Sequence, residues 1–421
     1  MLKQKNSLYS MPLSCALVAL AGLSGNGAAH ALDDAGMPVW NFSGFGTVGA
    51  VHSSERQADF ADSVLKASGA GFTHAWSGDV DSRLGAQLDL KVNPQWSFVL
   101  QMISEQSLFN SYAPIVEWAN IKYQWTPNLS VRLGRIALPV FLAADYRKVG
   151  YALPWVRTPV EVYGSVGISS SDGMDVNYRW RSGVVKNVLQ AFHGHNDIKA
   201  TDTSYVKVRG LSGISNTSDY GAASVRVSLT QTNLTIDLLR PLFDPFRIFG
   251  PQGVALADKY DLDHKRTLTF AIGASYDPGD WFVMSELGHI KTKSYLGDRT
   301  AFYASSGYRF AYLTPYVTYS EVKPNSNTSD PGLSLTALSA SEAGYAAALN
   351  AGLNTLLASN ASQKNLSAGV RWDLKSNLAL KLQYDRVMPQ GGSPGTLLNV
   401  QPGFKSAGVV NVASIALDFV Y

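Results

Sequence analysis

The densest group of potential metal ligands in the sequence is His193-Gly194-His195-Asn196-Asp197. Side chains of an extended strand alternate between its two faces, so His193, His195 and Asp197 would share one face. Two imidazoles and a carboxylate form a possible ligand set for a metal ion. The same pattern also fits the polar end of a strand that enters an exposed loop. We therefore predict no metal site here.

No segment from residue 32 onward matches a common catalytic motif. This part of the sequence lacks Gly-x-Ser-x-Gly, His-Glu-x-x-His and a glycine-rich phosphate loop. The seven histidines of the chain leave little material for general acid–base catalysis. We predict that the protein is not an enzyme and that it uses no cofactor.

Charged residues instead recur at every second position of many short segments. In the segment 83–92, RLGAQLDLKV, Leu, Ala and Val alternate with Arg, Gly, Gln, Asp and Lys. This alternation predicts a strand with one apolar and one polar face. Unpaired charges are costly in a protein core but stable against water, so the polar faces predict a water-filled interior. Its charges are Arg83, Asp89, Lys122, Arg132, Asp175, Arg179, Arg226, Asp237, Glu286, Arg371, Asp373, Lys381 and Asp385.

Some of these charges are expected near the middle of the wall. Residues about four to six positions from a tight turn lie near mid-height of a tilted strand of about ten residues. The predicted pore wall is Arg83, Arg132, Arg179, Arg226, Asp237, Glu286, Arg371 and Lys381, with the uncharged Gln87. The excess of bases predicts a mild preference for anions. An ion pair between Arg371 and Asp385 is an alternative that would cancel part of this charge.

The segment 151–164, YALPWVRTPVEVYG, is too rich in proline for a regular strand and too apolar for an ordinary exposed loop. It belongs to a long loop, 134–171, that follows the fifth predicted strand. If this loop folds into the interior, its apolar side chains pack on the inner wall and its charges face the remaining aperture. The predicted constriction is Arg135, Asp145, Arg147, Lys148, Arg157 and Glu161.

Alternating segments and turn residues predict 16 strands joined as hairpins. A first strand near 40–52 and a last one at 409–421 enclose hairpins that include 221–230 with 234–239, 267–276 with 281–290, and 366–374 with 378–384. Short turns lie at one end, and long loops near 53–77, 136–171, 196–218, 240–265, 323–363 and 387–408 lie at the other.

Trp96, Trp125, Trp281 and Trp372 lie beside the short turns, as in an interfacial girdle. The Ala- and Leu-rich part of the loop 323–363 is either a helix with Ser341 as its N-cap or an unstructured segment.

The N-terminal sequence predicts export from the cytoplasm. Lys3 and Lys5 precede the apolar run Met11–Leu23 and the sequence Ala29-His30-Ala31, which together predict a cleaved signal peptide at 1–31. The predicted mature chain, 32–421, then contains no cysteine, because Cys15 is the only one. The net charge of +3 for the whole chain argues against a nucleic-acid partner.

The last residues, SIALDFVY, form an alternating apolar strand that ends on an aromatic residue, Tyr421. Together with FSGFGTVGAV at 42–51 and SAGVRWDLKSNLALKLQYDRV at 367–387, this ending makes the chain similar to the 16-stranded porins of Gram-negative outer membranes. The fold class predicted is all-β, a transmembrane antiparallel barrel over 32–421 with short periplasmic turns and long external loops.

The resemblance implies a passive channel for small hydrophilic solutes, a homotrimer and a third loop folded into the pore. It implies outer-membrane localisation, contact with lipid and lipopolysaccharide, and recognition of the C-terminal strand by the barrel-assembly machinery. The third loop departs from the best-known porins because it is rich in proline, contains Trp155 and carries several basic residues. Two alternatives remain. One is a substrate-selective channel for organic anions or sugars, with Tyr151, Trp155 and Tyr163 in contact with the solute. The other is a barrel enzyme or an adhesion barrel.

Overall fold

The computed structural model describes residues 38–421. The predicted signal peptide at 1–31 lies outside these residues. Sixteen long antiparallel strands in the described part close into one barrel, as predicted. They are β1 (Val39–Ser53), β2 (Arg83–Lys91), β3 (Trp96–Glu105), β4 (Ile115–Gln124), β5 (Leu129–Ala137), β6 (Ser170–Ser182), β7 (Val185–Lys199), β8 (Tyr205–Tyr220), β9 (Ala223–Ile236), β10 (Lys265–Tyr276), β11 (Trp281–Thr292), β12 (Arg299–Tyr308), β13 (Leu313–Pro324), β14 (Gln363–Lys375), β15 (Leu378–Pro389) and β16 (Val410–Val420).

The first strand closes the barrel because it pairs on both edges. Its N-terminal half pairs with β2, where Val39 lies opposite Lys91, and its C-terminal half pairs with β16, where Phe45 lies opposite Val420. Every long strand therefore has two neighbours, and the sheet closes without a free edge strand.

One predicted hairpin was wrong. Residues 221–230 and 234–239 are not two strands, because Gln231-Thr232-Asn233 lies inside β9. The turn lies at Gly221-Ala222 instead, with Tyr220 opposite Ala223 and a φ of 57° at Gly221. The predicted loop 196–218 contains most of β8. Polar residues in β8 hid the alternation that marks a strand, while the polar Gln-Thr-Asn sequence imitated a turn.

The outer face of the wall is mostly apolar. Exposed side chains around it include Val48, Leu84, Leu100, Leu133, Met174, Leu229, Phe270, Val317, Leu382 and Ile415. Exposed or half-exposed aromatic side chains collect near the short turns, among them Trp40, Trp96, Trp125, Tyr178, Tyr220, Tyr276, Trp281, Tyr308, Trp372 and Tyr421. This belt includes all four tryptophans that the sequence placed there.

The loops at the opposite end form two packed groups. The first loop, with short strands at Asp59–Phe60 and Ala70–Gly71, pairs through its backbone with the last loop, where Asp59 and Leu398 exchange hydrogen bonds of 2.8 and 2.9 Å. The second group joins the loops after β9 and β13. No helix among residues 38–421 is both long enough and apolar enough to cross a membrane.

This second group is a small helical cap with its own apolar core. It contains α2 (Arg240–Phe243), α3 (Gly250–Tyr260) and α4 (Ala340–Ala358), whereas α1 (Val160–Tyr163) lies in the long loop after β5. Phe243, Phe246 and Leu353 are fully buried between the helices. The Ala- and Leu-rich segment is thus helical, and its N-cap is Ser339, which forms a capping box with Glu342, rather than Ser341.

Candidate functional site

The loop 138–169, the third loop on its side of the barrel, packs against the inner wall. Its prolines keep it out of the ladder, and its apolar side chains are buried against the wall strands. The shared cluster contains Leu138, Val140, Phe141, Tyr146, Leu153, Trp155, Val162 and Tyr163 from the loop, with Phe192, Phe282, Met284, Tyr303 and Tyr316 from the wall. Apolar residues on the inward face of β7 and β11–β13 therefore pack against this loop and hold it on the wall.

Two charges of the predicted pore wall hold the first half of the loop. Arg226 is buried and donates a hydrogen bond of 2.6 Å to the carbonyl oxygen of Phe141. Glu286 is also buried and accepts hydrogen bonds from the backbone N–H of Leu142 at 2.7 Å and from the hydroxyls of Tyr163 and Tyr303. Neither side chain lines open water, contrary to the sequence prediction.

Two more predicted wall charges hold the middle of the loop. Lys381 is completely buried, and its ammonium group donates to the carbonyl oxygens of Gly150 and Trp155 at 2.7 and 2.8 Å. Its counter-ion is Asp418, 2.8 Å away. Gly150 packs so closely that a Cβ there would lie 2.2 Å from Asp418 Oδ1. Arg371 donates to the carbonyl oxygens of Tyr151 and Leu153 and pairs with Asp373, not with Asp385.

Arg157 and Glu161 of this loop were predicted to face the aperture, but both side chains are buried between the loop and the barrel wall. Arg157 pairs with Asp81 at 2.7 Å and with Asp385 at 3.1 Å, and it also donates to Ser414 Oγ. Glu161 accepts hydrogen bonds from Ser320 and Gln363 at 2.7 and 2.6 Å, while burial raises its pKa. These residues attach the loop to the wall and do not form a constriction.

The aromatic residues proposed to contact a solute are engaged in the same way. Trp155 Nε1 donates to Ser305 Oγ at 2.8 Å, and the ring of Trp155 lies edge-on to Tyr303. The Tyr163 hydroxyl bonds to Glu286 and accepts from the N–H of Ala143. Only Tyr151 keeps partial exposure, with Arg371 over its ring.

The segment from 143 to 150 crosses the interior and carries the loop charges that keep some exposure. At one end the loop contacts Arg226 and Glu286 on β9 and β11, and at the other Lys148 pairs with Glu105 on β3. Asp145 lies 3.4 Å from Arg226 and acts electrostatically on Arg132. Arg147 forms no ion pair with the described carboxylates, and burial lowers its pKa. Asp145, Arg147 and Lys148 are thus the predicted constriction residues that lie on the crossing segment and keep partial exposure.

The wall facing this segment carries an excess of positive charge. Lys122 lies opposite Arg132 in the register of β4 and β5, and Arg132 lies opposite Asp175 in the register of β5 and β6. Arg132 pairs with Asp175, whereas Lys122 and Arg179 form no ion pair with any described residue. Arg132 and Arg179 each act electrostatically on Lys122. We call Lys122, Arg132, Asp175 and Arg179 the basic cluster.

Three other predicted site residues lie away from the crossing segment, and only one of them faces inward. Arg135 belongs to β5 and pairs with Asp172 on the outer face, because alternation along the strand places it with exposed Leu133. Asp237 follows β9 in a short helical turn and pairs with Lys207 and Arg240. Arg83 does face inward, where it pairs with Asp62 and Glu105.

His193 and His195 alternate on the outer face of β7, and no group of three or more potential ligands in residues 38–421 could hold a metal ion. His193 Nδ1 instead lies 2.7 Å from Ser212 Oγ.

Several partners of the loop were missed from the sequence. Asp81 and Asp418 lie far from Arg157 and Lys381 along the chain, so no local spacing links them. Gln383, which accepts from the N–H of Val156 at 3.1 Å, carries no charge that would draw attention.

No family model and no curated protein matches the chain. Among solved structures, it is similar to Salmonella typhi OmpF in complex with daunomycin, with 12% identity, a TM-score of 0.55, and 91% and 97% of the two chains covered. The anion-selective porin of Comamonas acidovorans is 11% identical, with a TM-score of 0.55 and coverages of 91% and 100%. The outer membrane channel DcaP of Acinetobacter baumannii is 12% identical, with a TM-score of 0.53 and coverages of 91% and 98%. These likenesses show that the chain has the fold of outer-membrane porins.

Proposed function

We propose that this protein is an outer-membrane channel through which small hydrophilic solutes diffuse passively, with a preference for anions. The observation that carries the proposal is the closed barrel with an apolar outer face and a charged interior that a folded loop narrows. Lipid tails contact the apolar side chains of the outer face, and closure of the barrel leaves no unpaired edge strand in the bilayer. Charges beside the crossing segment 143–150 then set the barrier for ions.

Single-channel recording in planar bilayers tests this function. We expect purified, refolded protein to produce stepwise, ohmic conductance in KCl. Because the loop fills much of the interior, the steps should be smaller than those of a variant that lacks residues 143–150. Absence of conductance from correctly folded protein would contradict the proposed channel.

The anion preference is assigned to the basic cluster. We expect the double variant Lys122→Gln/Arg179→Gln to shift the reversal potential in a KCl gradient toward that of a cation-preferring pore. A full charge about 4 Å from an ion in water contributes about 1 kcal/mol. Losing two therefore destabilises an anion at the cluster by up to about 2 kcal/mol, which lowers its permeability by up to roughly thirtyfold. Screening reduces the effect in high salt.

The matched control is Arg135→Gln, which removes a base from the outer face of β5. This variant should retain the parent reversal potential. A cation-selective parent protein, or an equal shift for Arg135→Gln, would contradict the assignment.

A substrate-selective channel for organic anions or sugars is the second candidate function. It is favoured by the number of buried contacts that fix the loop, since a rigid aperture discriminates between solutes better than a mobile one. Current block separates the two functions. Half-maximal block by one organic anion or sugar at submillimolar concentration supports selectivity, while equal, weak block by all tested solutes supports general diffusion.

The proposal includes export through the signal peptide 1–31, insertion by the barrel-assembly machinery through the strand that ends at Tyr421, contact with lipid and lipopolysaccharide, and assembly as a homotrimer. The exposed aromatic belt supports the membrane location because tryptophan and tyrosine favour the bilayer interface. A band at the mass of a trimer on unheated gels, which heating converts to the mass of one chain, would support the trimer. A monomeric species in native membranes would contradict it.

A further inference from the structure

The outer faces of β7 and β8 differ from the rest of the apolar band. They present His193, Ser212, Asn216 and Ser218, with Asn187 buried among its neighbours on the same face, whereas β9 and β10 beside them present Val225, Val227, Leu229, Phe270 and Ile272. These polar residues face outward because they alternate with inward Phe192, Ser215 and Thr217, and Ile214 between Ser212 and Asn216 is exposed. One sector of the wall is therefore poorly suited to lipid.

The polar residues lie at the height of apolar neighbours. Asn216 is opposite Val227 in the register of β8 and β9, and Val227 is opposite Ile272 in the register of β9 and β10. Val227 and Ile272 are both exposed on the outside. Ser218 is likewise opposite exposed Val225. The amide of Asn216 thus lies within the apolar band, above the aromatic belt at Tyr220.

A short chain of hydrogen bonds links three of these side chains. Asn216 Nδ2 donates to Ser218 Oγ at 3.0 Å, and Ser218 Oγ donates to Asn187 Oδ1 at 2.7 Å. The Oδ1 atom of Asn216 accepts no hydrogen bond from any of the described residues. This atom is buried, but the half-buried side chains of Ser212, Asn216 and Ser218 are polar groups in a band where lipid offers no hydrogen bonds, so this sector is unfavourable when it faces hydrocarbon.

We propose that the outer faces of β7 and β8 pack against the same faces of a second copy of this chain. Asparagine and serine each offer donors and acceptors, so the surface is complementary to itself, as a two-fold contact requires. Ala191, Ser212 and Ser218 are small and allow two walls to approach closely. Rotation of the Asn216 side chain would bring its amide to the partner.

Features around the polar sector fit a contact between proteins. Tyr178 and Trp180 stack at 5.8 Å along one flank and offer large, rigid surfaces that suit an interface. The exposed ion pairs Arg135–Asp172 and Arg209–Asp197 continue the polar surface toward the loop end. This contact rests on the proposed membrane location and adds a two-fold contact to the expected trimer.

Disulfide cross-linking tests the contact. The only cysteine of the chain is Cys15, in the predicted signal peptide, so Ser218→Cys introduces a single thiol into the mature protein. After oxidation in native outer membranes, we expect a non-reducing gel to show a band at twice the mass of the chain. Val227→Cys, at a neighbouring position on β9, is the matched control and should remain at the mass of one chain. A Ser218→Cys protein that stays at one chain mass, or that cross-links to a protein of different mass, would overturn the proposal.

Spin labels on the same two variants separate this inference from the proposed function. If the barrel spans a membrane, the label at position 227 is relaxed by oxygen and shielded from a water-soluble nickel complex. We expect the label at position 218 to be immobilised and shielded from both. A label at 218 as accessible to oxygen as that at 227 would overturn the two-fold contact but leave the membrane location intact. Access of the nickel complex to both labels would instead contradict the membrane location.

Discussion

Replacing Arg157 with methionine is expected to release the long loop from the wall and to destabilise the barrel. The substitution leaves Asp81 and Asp385 buried without their shared base, since both carboxylates are less than 3% exposed. Breaking a buried ion pair by removing one partner lowers the free energy of unfolding by about 3–5 kcal/mol. The variant should unfold at lower temperature in detergent and should conduct with larger, noisier steps.

Two further variants sharpen this experiment. Arg209→Met removes an arginine from an exposed ion pair with Asp197, which contributes about 1 kcal/mol or less, so it should behave like the parent. The triple variant Arg157→Met/Asp81→Asn/Asp385→Asn removes both uncompensated charges and should recover most of the lost stability. If Arg157→Met matched Arg209→Met in both stability and conductance, the loop would not depend on this ion pair.

The strands could be predicted from the sequence because period-2 alternation is local. The ladder β10–β11, where apolar and small residues alternate on either side of Asp277-Pro278-Gly279-Asp280, contains all the information needed to place both strands. The prediction of strand β8 failed for a physical reason. Its outer face carries Ser212, Asn216 and Ser218, so both faces are polar and no alternation distinguishes strand from loop.

The entry of the long loop into the interior was also predictable, because Trp155 and Tyr163 need burial and Pro154 and Pro159 exclude a regular strand. The roles of its charges were not predictable. A charge on an inward strand face is compatible with water and with a buried partner, and only the folded loop decides between them. Arg226, Glu286 and Lys381 therefore looked like a pore lining, although each one binds the loop.

These buried charges explain how a polar interior can hold an apolar loop. Backbone groups at Phe141, Leu142, Gly150 and Trp155 would lose hydrogen bonds to water when the loop is buried. Wall side chains replace that water, with Arg226 and Lys381 donating to carbonyl oxygens and Glu286 accepting from an N–H. Charged partners form stronger hydrogen bonds than neutral ones, which favours one fixed position of the loop. In the proposed channel, the aperture beside segment 143–150 is therefore shaped by wall residues that do not line it.

Replacing Glu286 with alanine is expected to produce the largest change at the first half of the loop. The substitution removes the acceptor shared by Leu142, Tyr163 and Tyr303, and each buried donor left without a partner destabilises by about 1–3 kcal/mol. It also removes a carboxylate that acts electrostatically on Arg226, which leaves that arginine with only its ion pair to Asp145, 3.4 Å away. Residues 141–145 should then move, which changes both the conductance and the reversal potential.

A series of substitutions distinguishes loss of this anchor from general damage to the barrel. The changes in conductance and stability should decrease in the order Glu286→Ala, Glu286→Gln, Tyr303→Phe, because the glutamine keeps one acceptor and the phenylalanine removes only one donor. Glu321→Ala is the matched control, since Glu321 lies in the wall strand β13 but on its outer face, where it accepts from Tyr319 at 2.7 Å. Reduced stability of Glu286→Ala with unchanged conductance would mean that the first half of the loop lies outside the conducting path. The aperture would then have to be sought on the other side of the crossing segment, between Lys148 and Glu105.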